Sequence, residues 1–319
     1  MPLSKIQDIG NQVIPNLGPN RNVLINGAMN VVQRGGSSAG LGTNTSSLAS
    51  TRYKVCDRWG FEAGSQDGRF TMSQDSSVPD GKGFANSLKL DCTTDDDAIA
   101  TGELLILQQR IEGQNLQGFA KGTSEAKPFA LSFYAKANAS KTYVAELFDI
   151  DNSRHVGKTF TVGTSWAKHE ITFPADTTGA FDDNNARSLD FNIWLHGGAT
   201  YTGGTLGTTW QAEDADDRAA GIGSFFSSTD NTFFITGVQL EVGSSATDFE
   251  HRPLHEEIAL CQRYYFNTYG YGGSNYGSYS GSSYTMPTYG IVGSQSYSYT
   301  HYQRYFMMKI IDKINEKPV

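Results

Sequence analysis

Short runs of alternating apolar and polar residues, each closed by turn residues, recur from Tyr53 to Gly243. Successive side chains of a strand point to opposite faces, so such a run has one oily side and one wet side. The runs are YKVCDRWGFEAG, GRFTMSQ, NSLKLDC, ELLILQQRIEG, PFALSFYAKAN, TYVAELFDI, GKTFTVG, WAKHEITFPA, SLDFNIWLHG and NTFFITGVQLEVG. None carries a helical period. Many half-buried strands in series cover their apolar sides by stacking one sheet on another. The pattern therefore predicts an all-β chain folded as an antiparallel β-sandwich. Composition agrees: 35 glycines supply turns, 16 tyrosines and 18 phenylalanines favour strands, and only 18% of residues are charged.

Three runs show the split most plainly. Over 187–197, Leu189, Phe191, Ile193 and Leu195 point inward, while Asp190, Asn192, Trp194 and His196 point outward. Over 129–136, Phe129, Leu131, Phe133 and Ala135 oppose Ser132, Tyr134 and Lys136. Over 234–242, strict alternation sets Phe234, Val238, Leu240 and Val242 against Ile235, Gln239 and Glu241. At about 25 cal/mol per Å² of apolar surface, the inner sides can hold a sandwich together. On the outer sides, the flat rings of Trp194 and Tyr134 could stack on a sugar. Asp190, Asn192, Gln239 and Glu241 could hydrogen-bond its hydroxyls. These six are the glycan-binding candidates. The competing reading is that a strand, a loop or a neighbouring subunit covers Trp194.

Outside the strand series, residues 1–25 carry Pro15, Pro19, Gly10 and Gly18 and read as an extended arm, either frayed or docked on another subunit. Residues 26–50 are rich in Gly, Ser, Thr and Asn and read as a loop at the start of a sandwich spanning 26–253. In 254–266, Leu254, Ile258, Cys261 and Tyr265 recur at helical spacing, with Glu256 and Glu257 at the positive N-terminal end. Leu254, Ile258 and Tyr265 are the candidates for an oligomer interface. The alternative is that this helix packs across its own sandwich. Residues 254–319 join the helix to a Tyr/Gly-rich region, since 264–305 hold 12 of the 16 tyrosines. Exposed aromatics in such number mark an interface.

Several function classes are excluded or disfavoured. Lys+Arg 25 against Asp+Glu 33 leaves a net charge of −8 with no cationic block, which predicts no nucleic-acid partner. No apolar run is long enough for a membrane span, so no membrane insertion is expected. Met1–Gln12 lacks the basic start and apolar stretch of a secretory signal. Cys56, Cys92 and Cys261 lie far apart and read as buried free thiols rather than a zinc site. No GxSxG, HExxH, P-loop or helix-leading GxGxxG occurs, so no catalytic residue and no cofactor is assigned, and the chain is expected not to be an enzyme. The acidic groups at Asp95–Asp97, Asp182–Asp183 and Asp216–Asp217 lack the spacing of a calcium loop and read as solvated turns, so no metal ligand is assigned.

The words NVLINGAMNVVQRGG (22–36), CDRWGFEAG (56–64), LQQRIEGQNLQ (107–117), FALSFYAKA (129–137) and FFITGVQLEVGSSATDFEHRPLHEEIALCQRYY (233–265) follow one another in that order. This series resembles tailed-bacteriophage virion proteins of the tail-fibre or receptor-binding type, which carry a carbohydrate-binding-module-like jelly roll. The resemblance implies a jelly-roll sandwich over 26–253 and a homotrimer in the virion, made in the bacterial cytoplasm. It also implies docking to other virion proteins through residues 1–25 and host surface polysaccharide as a partner. It transfers no catalytic residue. The function it implies is a tail-fibre or tail-tip adhesin that binds glycan without cleaving it. The short arm and the absence of a long shaft suggest an alternative, a capsid decoration (cement) or head-fibre protein. A third reading is a glycan depolymerase, with Glu241 and Asp190 as the two carboxylates that flank a glycosidic bond.

Overall fold

The computed structural model of the chain describes residues 21–43, 49–64 and 66–266. Every run named above forms a strand, and two short strands join them. In chain order these are β1 (Ser37–Leu41), β2 (Gly60–Gly64), β3 (Arg69–Asp75), β4 (Ser87–Thr94), β5 (Leu104–Glu112), β6 (Phe129–Ala137), β7 (Lys141–Asp149), β8 (Arg154–Val162), β9 (Ala167–Phe173), β10 (Arg187–Gly197), β11 (Gln211–Ala212) and β12 (Thr232–Val242). The helices α1 (Ala49–Arg52), α2 (Ala199–Thr202) and α3 (Leu254–Gln262) are short.

The strands build two six-stranded sheets, β1-β3-β4-β12-β6-β9 and β11-β8-β7-β10-β5-β2, antiparallel throughout. Eight strands pair in a nest: β4 with β12, β5 with β10, β6 with β9, β7 with β8. Pairing of the earliest strand with the latest, and so on inward, is the winding of a jelly roll. The inner sides meet in one core. Leu189, Phe191, Ile193 and Leu195 from β10, and Phe129, Leu131, Phe133 and Ala135 from β6, are all fully buried, as their alternation predicts. Cys56, Cys92 and Cys261 are buried and unbridged.

Strict alternation fails in β12. Phe233 and Ile235 face the core, and so do Val238 and Leu240, because the pairing with β6 slips between Thr236 and Gln239. One extra residue in a strand reverses which side its neighbours face. Gly237 sits at the slip with φ +62°, and a Cβ there would lie 2.5 Å from Cζ of Phe84. Only glycine meets both conditions without strain.

The boundary expected at residue 25 also moves. Residues 21–33 belong to the sandwich: Leu24, Met29 and Val31 are fully buried. Polar side chains pin this segment. Asn22 Nδ2 donates to the Val238 carbonyl at 3.0 Å, and its Oδ1 accepts from the backbone of Leu24 and Leu240. Gln109 of β5 accepts from Ile25 N–H at 2.7 Å and donates to Ile25 C=O at 2.9 Å. The remainder of the expected arm, 1–20, and the Tyr/Gly-rich region 267–319 lie outside the described residues.

The helix expected over 254–266 ends earlier, at Gln262. Its stripe packs on its own sandwich: Cys261 is buried against Ile25 and Val31, with Ile258 and Tyr264 beside them. Of the three interface candidates, Leu254 is 52% exposed, whereas Ile258 and Tyr265 are half-buried.

Candidate functional site

The six glycan-binding candidates do not share a surface. Asp190, Asn192 and Trp194 lie on β10 in one sheet, and Tyr134, Gln239 and Glu241 lie on β6 and β12 in the other. Five of the six are buried. The chain between β10 and β12 folds back over its sheet, so that Tyr201, Leu206, Ala219 and Ile222 pack on Trp194, Val144 and Ile106. Beneath this cover Trp194 Nε1 and Asn192 Nδ2 donate to Glu146 Oε2 at 2.8 and 2.9 Å, and Gln108 Nε2 donates to Asp190 and Asn192. On the other sheet, Glu241 accepts from Thr247 N–H at 2.7 Å and Gln239 Oε1 accepts from Glu250 N–H at 2.7 Å, so both hold the loop after β12. Tyr134 remains half-exposed, with Phe84 at 5.5 Å between ring centroids. Glu241 and Asp190 stand in opposite sheets, so they cannot flank one glycosidic bond, whose two carboxylates must approach the same sugar from one site.

Glu241 borders a cleft of about 110 Å³, but a roomier concavity lies elsewhere. Around β5, the start of β10 and the end of α3 the chain leaves a cleft of about 330 Å³. Four guanidiniums, of Arg34, Arg58, Arg110 and Arg187, line it together with the carboxylates of Asp57 and Glu112. Tyr53, Tyr264 and Tyr265 add aromatic walls. The Arg34 guanidinium lies 3.5 Å from the Tyr265 ring centroid, and that of Arg58 lies 3.4 Å from Tyr264. Such cation–π stacks orient guanidiniums that would otherwise sample many rotamers.

The acids in and around the cleft are each engaged by an arginine. Arg34 Nη1 is 3.1 Å from Asp57, Arg263 Nη2 is 2.9 Å from Glu112, Arg52 Nη1 is 2.8 Å from Glu62, and Arg187 Nε donates to Asp190 at 2.6 Å. Among the described residues Arg58 and Arg110 form no ion pair. Arg58 is only 8% exposed. It adopts φ +71°, a left-handed backbone rare for a large side chain. Its Nη2 donates to the Arg110 carbonyl, and its Nε has no hydrogen-bond partner. Arg110 Nε donates to Gln108 Oε1 at 2.8 Å.

Burial pushes Asp57 above the usual carboxylate range, although hydrogen bonds from Gln33 and the charge of Arg34 pull the other way. Burial alone would raise Glu112 too, but Arg263 together with hydrogen bonds from Tyr264 and Gln114 outweighs it and holds this carboxyl below its ordinary value. Burial raises the Cys261 thiol so far that it stays protonated, which removes it as a nucleophile. The cleft thus offers planar cationic donors, rings and two ionic anchors. Two other groups of metal-type ligands are tied up by the chain. His196 stands between Glu103 at 3.0 Å and Ser224 at 2.8 Å, next to Asp96, which accepts from the backbone of Asp67 and Gly68. In the cluster of Asp214, Asp216 and Asp217, Asp217 accepts from Thr205 N–H and Gln211 Nε2.

Alternation on strands did not reveal the cleft, because Arg34, Asp57, Arg58 and Tyr264 lie on loops and segment ends. A signal was nonetheless present. Arg34, Asp57, Arg58, Arg110, Glu112, Tyr264 and Tyr265 all fall within the words that carry the family resemblance, which the fold gathers at one place.

No known protein-family model matches the chain, and no curated protein matches it. Solved structures similar to it include carbohydrate-binding modules and a phage tailspike domain. The enzymatically active domain of bacteriophage CBA120 tailspike protein 4 is 15% identical at a TM-score of 0.34, over 58% of this chain and 19% of that one. The chain therefore spans about a fifth of the length of that tailspike domain. A family 11 carbohydrate-binding module from Clostridium thermocellum, in complex with a β-1,3-1,4-mixed-linked tetrasaccharide, is 14% identical at a TM-score of 0.31, over 68% of this chain and 99% of that one. A structure described as a CBM4 is 13% identical at a TM-score of 0.31, over 58% and 87% of the two chains.

Proposed function

We propose that the protein is a tail-fibre or tail-tip adhesin of a tailed bacteriophage that binds host surface polysaccharide in the cleft between β5, β10 and α3 without cleaving it. In this reading it works as a homotrimer in the virion and docks to other virion proteins through the part of the expected arm that precedes the sandwich, residues 1–20. The observation that carries it is the cleft itself: guanidiniums stacked on tyrosines, backed by paired carboxylates, make a rigid wall of donors and rings. Sugars are taken by such walls, rings against C–H faces and fixed donors against oxygens. The segments that resemble receptor-binding virion proteins meet at this wall.

The experiment is binding of the purified full chain to host cells and to their isolated envelope polysaccharide. Saturable binding, competed by free polysaccharide and weakened several-fold in Tyr265→Ala, is the expected result. Full binding by Tyr265→Ala moves the site away from the cleft. Antibody labelling of intact virions places the protein. Label at the tail or its tip is expected, whereas label spread over the head replaces the adhesin by a capsid decoration protein.

A further inference from the structure

We infer that the saccharide received by this cleft carries an anionic group, a carboxylate or a phosphate, held by Arg110 and Arg58; the inference rests on the glycan-binding reading above. The chain as a whole is acidic, at −8, yet its cleft sets four guanidiniums against two carboxylates. Local charge here runs against the global balance.

The pairing scheme sharpens the point. Asp57, Glu112, Glu62 and Asp190 each contact another arginine, and among the described residues none forms an ion pair with Arg58 or Arg110. A charge taken out of water without a counterion is costly, and buried charges in folded proteins are paired or bind ions. Arg58 is more than nine-tenths buried, in a left-handed backbone, with one nitrogen unpartnered. Strain and unmet polar groups that persist together are a mark of a site shaped for a ligand. Arg110 is half-buried beside Arg187 and forms no ion pair among the described residues; burial, then the Arg187 charge, presses its pKa below the ordinary value, although the Asp190 charge pulls the other way. An anion in the cleft relieves both.

The chemistry of the ligand follows from the donor. A guanidinium presents a planar fork that matches two oxygens of a carboxylate or a phosphate. Arg58 is held on Tyr264 at 3.4 Å and Arg34 on Tyr265 at 3.5 Å, so little side-chain freedom is lost on binding. Neutral sugars offer acceptor oxygens but no charge to balance an unpaired guanidinium. Uronates and phosphate-linked saccharides do.

Calorimetric titration of the full chain distinguishes the cases with four probes: uronate oligomers, glycerol phosphate oligomers, neutral glucose oligomers of equal length and inorganic phosphate. The expected result is that one acidic oligomer binds at least tenfold more tightly than the neutral one and weakens as salt rises. Arg110→Gln should lose at least tenfold in that affinity. In the absence of ligand its melting temperature should be unchanged or raised, because the substitution removes an unpaired charge. Arg58→Gln risks the fold through its backbone, so Arg110 carries the test, with Arg110→Lys as the variant that keeps charge but not the fork. Equal binding of neutral and acidic oligomers, unaltered in Arg110→Gln, overturns the inference and leaves the glycan reading standing. Inorganic phosphate bound as tightly as its oligomer overturns the saccharide assignment. Binding of no oligomer overturns both readings. A clear drop in the melting temperature of ligand-free Arg110→Gln makes Arg110 structural and overturns its role.

Discussion

Glu146 of β7 is fully buried yet stays ionised well into acid. Burial alone would raise its pKa, but the Arg218 charge, with Nε 2.7 Å away, and hydrogen bonds from His155, Arg218 and Asn192 outweigh it and lower it to about 2. The folded value lies below the ordinary 4.5, so the stabilisation is complete above about pH 4.5 and is lost as pH falls towards 2. The difference corresponds to on the order of 3 kcal/mol. Glu146→Gln should lose stability of that order at pH 7 and flatten the acid side of the stability profile, read by urea unfolding from pH 7 to 3. An unchanged profile removes Glu146 as the keystone. Trp194 illustrates what alternation can and cannot tell: its side of the sheet was legible in β10, but the cover that makes it packing comes from residues 199–222, which carry no strand period.

At the scale of elements, β12 shows how one residue redirects a strand. Ten runs of alternating residues were enough to locate ten strands, because period two is a local property. The slip at Gly237 is local in sequence but visible only in pairing, since a bulge is defined by the strand opposite. Gly237→Ala combines a left-handed backbone with a close approach to Phe84 and should cost about 2 kcal/mol or more, measured as a fall in the urea midpoint. Wild-type stability in that variant requires β12 to re-register without the bulge. In α3, the helical stripe set Leu254, Ile258, Cys261 and Tyr265 on one side, but packing leaves Leu254 52% exposed and buries only Cys261. The segment 25–31, expected as the end of an arm and a loop, turned out to be its partner.

For the whole molecule, Leu254, Ile99 and Phe266 are the large apolar side chains left exposed among the described residues. A homotrimer that uses α3 buries Leu254. Sedimentation of Leu254→Asp should then show monomers with an unaltered circular dichroism spectrum. A trimer that persists in this variant takes α3 out of the interface. Ile258→Asp makes the contrast, since that residue packs on its own chain and its loss should reduce stability whatever the oligomeric state.

Periodicity, turn residues and composition were sufficient for the class of fold, because burying one side of each strand is a demand every strand makes for itself. The jelly-roll order of the strands, the bulge in β12 and the cover over Trp194 depend on which distant segments meet, and no local pattern encodes that. The cleft is the clearest case. Its arginines, acids and tyrosines come from loops and element ends spread from Arg34 to Tyr265, and Arg58 and Arg110 are left without a carboxylate only because packing assigns each nearby acid to another arginine.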